Sequence, residues 1–316
     1  MKTTAKNIAL GLDIRTSKFE PSDYISWSLD PIVRLLRGFT RVYLVVRPPY
    51  EMPLADRRKA AKSWKDGIAK WRQATRPGFT VKVIYDVTNL GDGPCRDWAL
   101  GIRFAMEDGV QRIVYLPCVD AAEIQPEASR NALLQQFVDA AIADDADLVL
   151  GNYEAYTRVP TKNEKDVICF VPQYAARGEE RHDIRKRLLE QSAIAAMVAE
   201  FPQAMNSFFE LRADSQHDPH PRTGFFGCSR PLLEDFAFYR GAMNPLAGSM
   251  QLLLHVLVRN LAEENKFTIR EHFVGGMEQD EEKLDHVSMA IQRLRDVFVV
   301  QWERAYWNWK CPGLAL

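Results

Sequence analysis

The sequence predicts an α/β protein: a mainly parallel sheet flanked by helices, with a helical insertion and a C-terminal helix. Three observations carry that expectation. Short β-rich runs alternate with helix-period runs through the first half of the chain, as sheets wrapped by helices require. A glycine-bracketed loop, NLGDGPCRD, opens directly into a helix, and a hydrophobic strand, RIVYLP, follows it. The chain is long enough, at 316 residues with 47% hydrophobic content, to bury a substantial core.

Strands are expected at 7–12, 41–46, 80–85, 112–116 and 147–150, where β-branched and aromatic residues cluster between turn formers. Between the second and third, Ala60, Trp64, Ile68 and Trp71 recur at helical spacing and give one apolar stripe. The other face carries Arg57, Arg58, Lys59, Lys62, Lys65, Lys70 and Arg72, which reads as a solvated helix surface. The stretch 157–222 differs in character. It holds the charge run RGEERHDIRKRLLEQ, a long helix and a polar loop at 213–221, and reads as an insertion covering the sheet. TGFFGCSRPLLEDF follows, then an apolar helix near 250–261, a strand near 267–271, and the pair Gly275 and Gly276 that returns the chain to the pocket. Near the end Leu284, Val287, Ile291, Leu294 and Phe298 repeat at intervals of three and four, with Trp302, Tyr306, Trp307 and Trp309 beyond. Such a seam packs on another helix, either of its own domain or of a second copy in a homodimer.

The bulk properties exclude several classes. With 41 basic and 42 acidic residues the net charge is −1, so no global field favours nucleic acid or an anionic membrane, and nucleic acid is not an expected partner. Five scattered cysteines without a CxxC pair indicate reduced thiols and a cytoplasmic setting. No run approaches the roughly 20 apolar residues that cross a bilayer, so no transmembrane segment is expected, and the opening MKTTAKNIALGLDIR lacks a signal-peptide core. Serine hydrolase chemistry lacks its G-x-S-x-G elbow, GDGPCRD lacks the GK[ST] ending of a P-loop, and the first strand lacks the dinucleotide fingerprint. His217 and His220 in QHDPHP fall short of a zinc site, and His255 and His272 read as structural histidines.

The chemistry concentrates in 89–120. Gly91 and Gly93 permit backbone conformations closed to other residues, and the helix after them aims unpaired N–H groups at whatever lies in front, which favours an anion. Strand 112–116 then delivers Pro117, Cys118, Val119 and Asp120 to the carboxyl end of the sheet, where open α/β folds bind ligands.

In the order of these parts the chain resembles the GT-A fold glycosyltransferases, in particular the retaining cytosolic enzymes of the glucosyl-3-phosphoglycerate synthase and mannosylglycerate synthase type. The likeness spans 8–292. GDGPCRDWAL is similar to the family's GKGxALxxxL element, VYLPCVDA to its strand ending in DxD, and ADLVLGNY to the strand after it. PRTGFFGCSRPLLEDF resembles the acceptor segment PLAGEYAxRRxLLE, AGSMQLLLHVL the GVEIGLLI helix, and EHFVGGMEQD the strand and loop that bring in a metal-binding histidine.

The resemblance implies a division into a nucleotide-sugar-binding α/β half (1–156), a helical and loop insertion (157–222), an acceptor-side part of the same domain (223–280) and a C-terminal aromatic helix (281–316). It implies donor contacts at Asp13, Arg15, Gly91, Asp92, Gly93 and Arg96, and acceptor contacts at Thr223 and Gly224. In the family the DxD carboxylates hold a divalent cation that bridges the donor diphosphate. Here Pro117 occupies the first position, and the second falls on Val119 or slides to Asp120. The histidine position is Gln279, the acidic position of the GVEI element is Met250, and the lysine between the glycines is Asp92. Asp120 is therefore the expected catalytic carboxylate, with Mg²⁺ or Mn²⁺ held there weakly. The expected function is transfer of a hexose from a nucleoside diphosphate sugar to a small or saccharide acceptor. A non-catalytic GT-A-like partner protein and a nucleotidyltransferase are the alternatives.

Overall fold

The computed structural model describes residues 7–15, 21–35, 37–47, 52–75, 78–85, 94–124, 127–143, 145–160, 168–172, 192–211, 224–240, 248–264, 266–278 and 286–316. Eight strands form one sheet: β1 (Ile8–Arg15), β2 (Arg41–Arg47), β3 (Thr80–Tyr85), β4 (Arg112–Pro117), β5 (Leu148–Pro160), β6 (Ile168–Pro172), β7 (Phe226–Ser229) and β8 (Ile269–Glu278). Their order is β3-β2-β1-β4-β7-β5-β6, with β8 also paired to β5. Strands β1 to β4 are mutually parallel, and β5 and β8 are parallel to each other. Strand β7 lies antiparallel between β4 and β5, so those two point the same way, and β6 runs back along β5.

The period of two along each strand divides the core. Ala9, Tyr43, Ile113, Tyr115, Leu148 and Phe226 face one layer, while Leu10, Val42, Leu44, Val114, Leu116 and Val149 face the other. The second layer is built on α1 (Pro21–Tyr24), a π-helical turn (Ile25–Leu29), α2 (Asp30–Leu35), α3 (Leu54–Thr75), α5 (Cys118–Glu123) and α6 (Arg130–Ile142). The first is built on α4 (Pro94–Glu107), α7 (Ser192–Glu200), α8 (Pro202–Leu211), α9 (Arg230–Arg240), α10 (Gly248–Ala262) and α11 (His286–Lys310).

Several expected boundaries move. Strand β5 begins at Leu148 and runs to Pro160, well past the expected 150, because β7, β8 and β6 each supply a ladder for a different part of it. Asp147 joins no ladder. Its carboxylate accepts hydrogen bonds from Ser229 Oγ at 2.7 Å and from Thr268 N at 3.0 Å. On α3 the buried stripe is Ala61, Trp64, Ile68 and Trp71, with Ala60 half-buried beside it.

The residues of the α11 seam divide between two faces. Leu294 and Phe298 are 70% and 58% exposed, and the face that docks is Val299, Val300, Glu303 and Trp307. Those side chains turn toward α7 and α10: Gln251 Nε2 donates to Glu303 at 2.5 Å, and Arg304 Nη1 to the Glu200 carbonyl at 2.7 Å. Val287 and Ile291 belong to the first turns of α11. Leu284, the charge run before α7, and His217 and His220 lie outside the described residues. No helix among the described residues is long and apolar enough to cross a membrane.

Candidate functional site

Strand registers align one row of residues along the carboxyl edge of the sheet. Asp13 on β1 is opposite Val45 on β2 and Pro117 on β4. Tyr115 is opposite Phe226, and Phe226 is opposite Leu150 on β5. Two residues further along those antiparallel registers, Gly224 stands between Pro117 and Asn152, and Asn152 is opposite Phe273 on β8. The row thus runs Val45, Asp13, Pro117, Gly224, Asn152, Phe273.

Two local features shape this edge. The first is a close approach: a β-carbon added at Gly224 would stand 2.6 Å from Pro117 Cγ, so the proline ring lies where any larger residue would put its side chain. Pro117 is buried, ends β4 and precedes α5, with ψ of 120°. Its missing N–H suits a strand end. The second is a bulge in β8, where Asn152 opposes Phe273 but Tyr153 opposes Gly275, leaving Val274 as the extra residue. Gly275 adopts φ of 120°, a conformation that glycine takes without steric cost. Bulges of this kind bend an edge and recur beside active sites.

The expected donor residues fall on this edge as far as the structure describes them. The backbone of Asp13 lies in the row and that of Arg15 two residues beyond, opposite Arg47. Helix α4 follows β3, so its amino end faces the same edge; it starts at Pro94, a residue suited to the first helical position, and Arg96 lies in its first turn. Asp120 is the third residue of α5, directly after β4, and the N-cap position belongs to Pro117. Gly91, Asp92, Gly93 and Thr223 lie outside the described residues, as does Gln279, while Gly224 stands within the row.

Sequence reasoning missed Asn152. It is 2% exposed, a buried polar side chain within the row. Its only sequence signal is an amide directly after the apolar run LVLG, and its placement follows from registers with two other strands.

A divalent cation requires clustered oxygen donors. Among the described residues no group of three or more histidine, cysteine or acidic side chains gathers to hold one. Pro117 has no side-chain donor atom and is packed against Gly224, and Met250 is 1% exposed inside the core, so neither supplies a side-chain oxygen to a cation.

The histidines expected to be structural occupy such places. His255 is fully buried with Nε2 2.8 Å from Asp235, and the same carboxylate accepts from Arg259 Nε at 3.0 Å. Burial resists ionisation of Asp235, yet the His255 hydrogen bond and the Arg259 charge outweigh it and hold its pKa below the ordinary value. His272, half-buried on β8 with its ring 6.3 Å from that of Phe137, has its pKa lowered by burial.

No protein-family model matches the chain, and comparison with curated proteins finds no match. Solved structures do match. The chain is similar to M. tuberculosis glucosyl-3-phosphoglycerate synthase, with a TM-score of 0.52 at 12% identity over 95% of this chain and 80% of that one. It also matches the mannosyltransferase PcManGT from Pyrobaculum calidifontis, solved with GDP-Man and Mn²⁺, with a TM-score of 0.46 at 11% identity over 95% and 64% of the two chains. A third match is S. aureus TarS 1-349, solved with UDP-GlcNAc, with a TM-score of 0.42 at 13% identity over 95% and 65%. The first likeness establishes the fold as GT-A-like; at such identity it speaks for architecture, and the chemistry rests on the residues themselves.

Proposed function

We propose that this chain is a glycosyltransferase that moves a hexose from a nucleoside diphosphate sugar to a small or saccharide acceptor. The observation that carries the reading is the convergence at one sheet edge, in a GT-A-like fold, of the Asp13 position, the amino end of α4 and the Gly224–Pro117 contact. Brought together there, these parts serve a sugar donor in a consistent way. The amino end of α4 and Arg96, with the loop of Gly91, Asp92 and Gly93, bind the diphosphate through N–H groups and positive charge. Asp13 and Arg15 contact the base and ribose, Thr223 and Gly224 receive the acceptor, and Asn152 braces the floor of the site. Asp120 is the carboxylate nearest in sequence to β4 and would take any weakly held Mg²⁺ or Mn²⁺. No step of the transfer is assigned to a metal. Rate enhancement comes from holding donor and acceptor in line and from stabilising the departing diphosphate, without a covalent protein nucleophile.

The test is a thermal-shift panel of UDP-, GDP- and ADP-sugars, each with and without Mg²⁺ or Mn²⁺, because a ligand that binds only the folded state raises its Tm. One donor is expected to stabilise the protein by about 2.7 kcal/mol at a hundredfold excess over its Kd. Silence across the whole panel sinks the reading.

The buried apolar side chains of Pro117 and Met250 favour a second reading, a non-catalytic GT-A-like binding or partner protein. The double change Pro117→Asp with Gln279→His separates the two. Gain of donor-sugar hydrolysis marks an enzyme that has lost its metal donors, and no gain in a folded variant marks a site rebuilt for binding.

A further inference from the structure

Three helices of this molecule close their own exposed charges. Arg34 pairs with Asp30 on α2 at 2.7 Å, Arg103 with Glu107 on α4 at 3.0 Å, and Arg230 with Glu234 on α9 at 2.6 Å, each across one helical turn. Helix α3 does not. It holds seven of the chain's 41 basic residues and two of its 42 acidic ones, a local charge of +5 against −6 for the rest of the chain. Arg57 is half-buried and donates to the Met52 carbonyl at 2.6 Å. Arg58, Lys59, Lys62, Lys65, Lys70 and Arg72 are all exposed, and among the described residues no ion pair or hydrogen bond engages their side chains.

Helical geometry gathers four of these cations. At 3.6 residues per turn Arg58, Lys62, Lys65 and Arg72 fall within about a quarter turn of one another, on a line about 21 Å long. That line shares its strip of helix surface with only two other residues, Leu54, 45% exposed at its amino end, and exposed Ala69. Asp66 lies about a quarter turn from its centre and Asp56 about half a turn. Helix α1 covers the opposite flank, where a β-carbon added at Gly67 would stand 3.1 Å from Pro21 Cβ.

Like charges one turn apart, such as Arg58 with Lys62 and Lys62 with Lys65, weaken a helix, and an anion lying along the line relieves them. Shape and the leucine identify that anion. A convex ridge without a groove rests on a flat surface. A nucleic acid is read by amides or aromatic side chains set among the cations, and the line holds none. Leu54 gains nothing from bare phosphates, but an apolar side chain suits the boundary between lipid headgroups and acyl chains. The acidic remainder of the chain is repelled by the same surface, which favours one orientation upon it.

We infer that α3 is a docking ridge for an anionic lipid surface, held by the charges of Arg58, Lys62, Lys65 and Arg72 with Leu54 at the headgroup boundary. The docking is independent of the glycosyltransferase reading.

Co-sedimentation of the full chain with vesicles tests it. Vesicles containing phosphatidylglycerol are expected to bind the chain and vesicles of phosphatidylcholine alone are not. Binding should be lost as salt shortens the screening length from about 10 Å at 0.1 M to about 3 Å at 1 M. One cation at such a surface contributes about fivefold in affinity, so Lys62→Gln with Lys65→Gln should weaken binding about thirtyfold at unchanged Tm. Lys59→Gln with Lys70→Gln removes the same charge from beside the line and should weaken it by less than about fivefold. Equal losses from the two double variants overturn the inference, because total charge rather than the ridge then binds. So does a parent chain that ignores phosphatidylglycerol, or one that binds duplex DNA as tightly as vesicles at equal phosphate concentration.

Discussion

The two ends of the sheet solve opposite problems. At the amino end, polar side chains bind one another and the backbone. Asp108 accepts from Tyr43 Oη at 2.7 Å and Lys82 Nζ at 3.1 Å; the Tyr43 bond first, then that of Lys82, keeps its pKa below the ordinary range. Burial, reinforced by the same contact, pushes the Tyr43 hydroxyl up to about 12. Arg112, 5% exposed, donates to the carbonyls of Ala141 at 3.0 Å and Ala146 at 2.6 Å. Asp147 ties β7 to the start of β8, and Asp235 gathers His255, Arg259 and Lys266. The carboxyl end has close backbone approach instead: a proline against a glycine, a bulge, and one buried amide. Networks of satisfied polar groups hold a fold together, whereas a surface that leaves room near the backbone is one a ligand can occupy.

Substitutions at the two ends should therefore separate stability from ligand response. The largest effect is expected from Asp235→Ala, which takes from buried His255 and Arg259 the carboxylate they share, leaves Arg259 only the exposed Glu263, and costs about 3 kcal/mol, read as a lower Tm at neutral pH. That cost depends on pH in a definite direction. Because the folded-state pKa of Asp235 lies below its unfolded value of 3.8, the contribution is complete above that value and is lost as pH falls through the folded one. The gap between parent and variant should close in acid; a gap that persists there would reject the assignment of the stabilisation to the ionised carboxylate.

Arg112→Met comes next, at about 2–3 kcal/mol, because two buried carbonyls lose their donor. Chemical denaturation measures it, and the thermal shift caused by a bound donor should be unchanged, since the residue sits at the far end of the sheet.

At the carboxyl end the balance reverses. Gly224→Ala forces the Pro117 ring aside at about 1–3 kcal/mol, and it should also abolish the donor-induced shift. If that variant responds to donor as the parent does, the close approach has no part in the site. Asn152→Ala is the mildest, about 1–2 kcal/mol from a lost buried hydrogen-bonding group, and is expected to weaken donor binding more than folding. Equal weakening at both ends of the sheet would erase the distinction drawn between them.

Local pattern makes much of the scaffold legible. Strand β3 spans its expected residues, and α10 extends its expected apolar run by one turn or less, because β-branched runs and helical apolar repeats are properties of adjacent residues. The antiparallel insertion of β7 is not legible in the same way, since the four residues FGCS carry no sign of direction. Nor is the docking face of α11. That helix has apolar residues on two sides, and periodicity marks both without saying which one meets the rest of the fold.

Residue type alone is written in the sequence: a proline at the end of an apolar strand, a methionine in an apolar helix, and glycines that precede a helix. The meeting of Pro117 with Gly224, the burial of Asn152 and the exposure of the α11 stripe are matters of register and rotation. They follow from pairings between segments far apart in the chain, which no local pattern specifies, because a slip of one residue in a strand or a turn of a helix about its axis exchanges its faces.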